Sequence, residues 1–131
     1  MQEHSSDYLS IIMKNVTVYS IPNCDITKKA FAWLKENRIA YNFHDYKKEG
    51  ITIAKLNEWS KKSSWEILLN KRGTTWKGIS PAIQQTIINQ KTAAALMQEH
   101  TSLIKRPVIE INGTILIGYD EARYKDLLLQ G

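Results

Sequence analysis

Two β-rich runs joined only by Asn112-Gly113 constrain this chain more than any other stretch. Val108-Ile109-Glu110-Ile111 and Thr114-Ile115-Leu116-Ile117 flank the pair. Asn-Gly supplies the two positive-φ positions of a type I′ turn, so the runs are expected to fold back as an antiparallel hairpin. Pro107 stands immediately before the first run. Far upstream, Asn15-Val16-Thr17-Val18-Tyr19-Ser20 alternates and is β-branched, which reads as a strand. Ile21-Pro22-Asn23 breaks it. A helical pattern follows, with Ile26, Ala30, Trp33 and Leu34 on one face. Tyr41-Asn42-Phe43-His44-Asp45-Tyr46 alternates again. Strand, helix and strand with short joints predict a βαβ unit with parallel strands and a right-handed crossover.

The stretch between these units is helical in pattern. Thr52 can cap a segment with Ile53, Leu56 and Trp59, and Ser64 one with Ile67 and Leu68. Ser80-Pro81 is an N-cap followed by proline at the first helical position, opening a segment whose Ile83, Ile87 and Ile88 share a face. Thr92 opens a short Ala-rich helix through Met97, and Asp120 can cap a last helix with Tyr124, Leu127 and Leu128 inward. The order β-α-β, helices, β-β-α is the thioredoxin-like layout. The expected fold is therefore α/β: a four-stranded mixed sheet with an all-helical insert at about 50–102. Residues 1–13 read as an extension and 14–131 as a single domain. In this layout the end of the first strand, the start of the first helix and the loop before Pro107 converge.

Composition narrows the chemistry. The chain has 131 residues, enough for one domain with its own core. It has one cysteine, which excludes an internal disulfide framework and a multi-cysteine metal site. His4, His44 and His100 show no metal-ligand spacing, so no metal and no bound cofactor are expected. The 18 basic and 13 acidic residues leave a net charge of +5, spread as pairs such as Lys47-Lys48 and Lys61-Lys62. That modest excess suits small anionic ligands and speaks against nucleic acid. No apolar run reaches the ~20 residues of a membrane span. No secretory signal opens the chain, so a reducing cytoplasm is expected, with Cys24 as thiol or thiolate.

Cys24 lies where the first helix starts. There it meets unpaired backbone N–H groups and the positive end of the helix dipole, which favour thiolate. Its place between a proline and a helix start argues against burial. The position three residues on is Thr27, not a second cysteine, so an oxidised intermediate must be resolved by an outside thiol. Pro107 is expected to be cis, as a proline before this strand of an exchange-type fold. Arg106 is then expected to aim its guanidinium at Cys24, stabilising thiolate and binding an oxyanion or carboxylate. Lys28, one turn after Cys24, is a candidate anion contact. So is Arg72, in the polar segment Lys71-Arg72-Gly73-Thr74-Thr75-Trp76. Trp33, Trp59, Trp65 and Trp76 read as packing residues.

Taken together, Pro22-Asn23-Cys24-Asp25, His44-Asp45-Tyr46, Leu69-Asn70-Lys71-Arg72-Gly73-Thr74-Thr75-Trp76 and Lys105-Arg106-Pro107-Val108 form a specific set. With them the chain, from about Lys14 to about Leu129, resembles the glutaredoxin-coupled arsenate reductase (ArsC) family and its Spx-like relatives. It is most similar to a branch of small ArsC-like proteins read as glutathione-dependent thiol reductases. The resemblance implies a nucleophilic Cys24 and an anion-stabilising Arg106, with Asn23, Lys28, Arg72 and Pro107 as substrate-binding residues. It implies glutathione or glutaredoxin as the reducing partner and a small anionic or disulfide substrate. Arsenate reductases place three arginines around the oxyanion. Arg106 matches one; Asn70 and Gly118 stand at the positions of the others, with Arg72 two residues on. The alternative implied by the Spx-like relatives is a regulator that binds RNA polymerase without catalysis. Such regulators often carry a C-x-x-C switch, which is missing here.

Overall fold

The computed structural model describes residues 15–129. The extension expected at 1–13 lies outside the described residues. The β-rich runs form β1 (Val16–Ser20), β2 (Asn42–Asp45), β3 (Val108–Ile111) and β4 (Thr114–Ile117), in one sheet of order β2-β1-β3-β4. β3 runs antiparallel to both β1 and β4, so Val18 faces Ile109 and Ile109 faces Leu116. The hairpin turn has φ of 48° at Asn112 and 82° at Gly113, the two positive values its residues favour. With α1 (Asp25–Glu36) linking β1 to β2, this is a mixed thioredoxin-like sheet of the α/β class.

The chain divides into two compact units, one of Asp45–Lys105 and one of the residues before and after it. The sheet unit is organised by strand parity. Val16 and Val18 of β1, Ile109 and Ile111 of β3 and Leu116 of β4 share one buried cluster with Ala30, Trp33 and Leu34 of α1. Tyr124 and Leu128, from the last helix (Glu121–Leu128), complete it. Trp33 meets Tyr124 edge to face, with ring centroids 5.5 Å apart. Asp120 caps that helix by accepting from the Arg123 N–H at 3.2 Å.

Two apolar residues expected inward are not. Ile26 is 49% exposed, and Thr27 takes the inward place with no exposure. The buried line of α1 runs Thr27, Ala30, Leu34, with Trp33 beside it. A 3.6-residue period accommodates that line as readily as one through Ile26, and packing against β1 chooses between them. Leu127 is likewise half out, because the eight-residue last helix buries only the stripe of Tyr124 and Leu128.

The second unit is built of short helices: α2 (Tyr46–Glu49), α3 (Ile53–Lys62), α4 (Trp65–Leu68), α5 (Thr74–Lys77), α6 (Pro81–Gln84) and α7 (Gln90–Glu99). A 3-10 turn at Thr101–Leu103 follows, and the last helix of the sheet unit is α8. Asp45, Thr52, Ser64 and Ser80 each accept an N-cap hydrogen bond. Tyr46 therefore belongs to α2 and not to the strand before it. Leu56, Trp59, Leu68, Met97, Leu103 and Ile104 are fully buried.

Three details depart from the periodicity. α7 begins at Gln90, capped by Asn89, while Thr92 is the third helical residue and closes a reciprocal capping box. α6 ends at Gln84, so Ile83 and Ile88 stay exposed and only Ile87 of the three is buried. The helical unit also holds a short extended pairing: Asn70 N–H donates to the Leu103 carbonyl at 2.7 Å and Lys105 N–H to that of Leu68 at 2.9 Å. Among the described residues, no helix is long and apolar enough to cross a membrane.

Candidate functional site

β1 ends at Ser20, and Ile21-Pro22-Asn23 carries the chain to α1. Cys24 is the N-cap of that helix, extended at φ −138° and ψ 117°. Its carbonyl accepts the Lys28 N–H at 2.9 Å, the first bond of the helix. An N-cap side chain turns back toward the N–H groups two and three residues on, here Ile26 and Thr27. No cap hydrogen bond closes onto the Cys24 sulfur, yet the residue is only 9% exposed. The thiol is thus buried, contrary to what its loop position suggested.

Burial alone pushes the Cys24 thiol up. The Thr27 hydroxyl, the Thr27 N–H, the Arg106 guanidinium and the Ile26 N–H outweigh it and hold the group below its ordinary range. The physical sense is that of a helix start: oriented donors favour the anion over the thiol. Behind them, Thr27 Oγ1 lies 2.7 Å from Ser20 Oγ, and both residues are fully buried.

Arg106 reaches the site from the segment before β3. It is half-buried, and the Arg106–Pro107 peptide bond is cis. Pro107 is buried, and its carbonyl accepts the Gly118 N–H at 2.8 Å. The Gly118 carbonyl in turn accepts from the Tyr124 hydroxyl at 2.6 Å. Burial raises the Tyr124 phenol, which keeps it a proton donor. This chain of bonds anchors the cis-proline segment to β4's exit and to α8. Asn23, next to Cys24 in the chain, and Lys28, one helical turn on, are both exposed.

Arg72 belongs to the helical unit and is exposed there. Its N–H donates to Asn70 Oδ1 at 3.0 Å. With Glu66, Leu69, Asn70, Lys71 and Lys105 it lines a concavity of about 380 Å3. The Lys71 ammonium lies 5.9 Å from the Trp65 ring and 5.4 Å from that of Trp76, a cation held between two indoles. Trp65 and Trp76 thus do more than pack.

Thr27 and Ser20 are the site residues that the sequence pattern did not single out. A signal existed. Thr27 is the third residue of α1, where a polar side chain reaches back to the N-cap. Ser20 has the inward parity of Val16 and Val18.

Such a sheet, with one thiolate-favouring cysteine at its first helix start and a cis-proline segment bearing an arginine, defines a single-thiol member of the thioredoxin-fold class. The ArsC family model matches residues 19–127, and the chain belongs to the ArsC family. It is similar to the solved structure of the YffB (PA3664) protein, 38% identical, with a TM-score of 0.83 and coverage of 87% of this chain and 99% of that one. An arsenate reductase (ArsC) related protein from Brucella melitensis is 39% identical, with a TM-score of 0.69 and coverage of 88% and 95%. Global transcriptional regulator Spx of Staphylococcus aureus is 25% identical over 115 residues, 86% of each chain.

Proposed function

We propose that the protein is a glutathione-dependent thiol oxidoreductase with Cys24 as nucleophile. The observation that carries this is the N-cap sulfur held below the ordinary thiol range by Thr27, Arg106 and the helix start. In the proposed cycle the Cys24 thiolate attacks the glutathione sulfur of a mixed disulfide. The substrate leaves as thiolate, and Cys24 is left joined to glutathione. A second glutathione thiolate attacks that sulfur, giving oxidised glutathione and free Cys24. Net, the mixed disulfide and one glutathione thiolate give the substrate thiolate and oxidised glutathione: the substrate sulfur gains one electron, the incoming glutathione sulfur loses one, and the glutathione sulfur passed through Cys24 ends at the oxidation level at which it began. Arg106 stabilises the anionic sulfur in both steps.

A disulfide is favoured over arsenate as the substrate. Asn70 carries no charge, and Gly118 sits at φ 82°, a conformation poorly suited to an arginine. The test is turnover of a glutathionylated peptide with glutathione, arsenate being run as a separate arm. The expected result is turnover with the peptide, its abolition in Cys24→Ser and a loss of at least tenfold in Arg106→Ala, about 1.4 kcal/mol or more. Retained turnover in Cys24→Ser overturns the proposal.

A second reading, favoured by the similarity to Spx, is a regulator that binds RNA polymerase and turns nothing over. Capture of the polymerase α subunit by a protein inert toward glutathione disulfides would support it. Thiol chemistry without capture would reject it.

A further inference from the structure

Lys29, Trp33 and Glu36 follow one another at i, i+4 and i+7 along α1, so they share one stripe of the helix. That stripe is one wall of a concavity of about 380 Å3 in the sheet unit, and Tyr119, Glu121 and Lys125 stand across it. Its floor is aromatic. The Trp33 and Tyr119 rings both meet Tyr124 edge to face, with centroids 5.5 and 5.2 Å away. Lys125 is spent on Glu121, at 3.2 Å. Among the described residues, Lys29 and Glu36 make no ion pair. The Trp33 indole N–H finds no acceptor there either, although the residue is only 5% exposed. A buried indole N–H ordinarily has a partner. The stripe is therefore a cation, a buried donor and an anion in line, about 10 Å from end to end at the rise of a helix. Glu36 is also the last residue of α1, where its carboxylate meets the negative end of the helix dipole. A positive group there relieves both.

We propose that this concavity binds a short free peptide of two or three residues, laid extended along α1. Its carboxylate sits between the Lys29 ammonium and the Trp33 N–H, which donates to it. Its ammonium sits at Glu36, and its side chains cover the Trp33 and Tyr119 rings. Three extended residues reach about 10 Å, the length of the stripe. The volume is that of a small-ligand site. A ligand of one sign fits worse: an anion would face Glu36, and a cation would face Lys29. Cys24 caps the opposite end of α1, and the binding needs no thiol. The proposal therefore stands or falls apart from the one above.

The test is an NMR titration of the full chain with trialanine, read at the indole N–H resonances of its tryptophans. The Trp33 resonance is expected to move to saturation with a Kd of about 1 mM or below. That of Trp59, fully buried in the helical unit, is expected to stay in place. N-acetyl-trialanine amide carries neither charge and is expected to bind at least about fivefold more weakly. Glu36→Gln and Lys29→Gln are each expected to weaken trialanine by about two- to fivefold, the worth of an exposed ion pair. Both side chains are exposed, so neither change disturbs the core. A Trp33 resonance that is still unmoved at about 10 mM trialanine overturns the proposal. So does a capped peptide that binds as well as the free one, or a pair of charge variants that bind as the parent does.

Discussion

Cys24 concentrates opposing forces on one atom. Burial disfavours its charge; the Thr27 hydroxyl, two backbone N–H groups and Arg106 favour it more. The sign of the pH dependence follows. The folded protein releases this proton more readily than the unfolded chain, whose cysteine keeps a value of about 8.5. The stabilisation is therefore fully present above the unfolded value and lost as pH falls through the folded one. Urea unfolding at a series of pH values is expected to show the parent gaining on Cys24→Ser as pH rises toward about 8.5, with a constant gap beyond. A gap independent of pH would contradict the shifted thiol. Gly118 is a second residue with a local reason. Its φ of 82° is left-handed, although no heavy atom stands within 4 Å of where a Cβ would sit. Gly118→Ala is expected to lose about 1–2 kcal/mol from backbone strain alone, read from the urea midpoint. A neutral result would mean that the Gly118 turn relaxes.

Among the elements, the ends of helices carried much of what the sequence disclosed. Thr52, Ser64, Ser80 and Asp120 all cap as their residue types predict. α7 begins at Gln90 and not at Thr92, because an asparagine three residues before the threonine completes a reciprocal capping box. Asn89 takes the cap, and Thr92 fills the reciprocal position. Asn89→Ala is expected to cost about 1 kcal/mol, measured by chemical denaturation, because it leaves the Thr92 N–H without its acceptor. The same change at exposed Gln85, a C-cap whose side chain caps nothing, is the control. Periodicity was weakest in the shortest helices. Four residues turn barely once, so Ile83 and Ile88 show no face to bury.

On the scale of the molecule, the described residues of β1, β3, β4, α1 and α8 share a buried cluster that ties the sheet unit together. Leu34 is in that cluster with no exposure. Leu34→Ala is expected to cost about 2–5 kcal/mol, a loss large enough to lower the melting temperature by several degrees. Calorimetry checks it, and a loss under about 1 kcal/mol would mean the cluster closes over the gap. The sequence by itself determined the hairpin, the order of elements, the helix caps and the cysteine's place at a helix start. These depend on residues close together in the chain, through turn geometry, alternation and N-cap chemistry. Only the tertiary structure decided that Thr27 and not Ile26 faces inward, that the thiol is buried and that Ser20 meets Thr27. Those facts depend on which faces of β1 and α1 meet and where β3 begins beside them. Local periodicity offers several such meetings, and close packing of the whole cluster admits one.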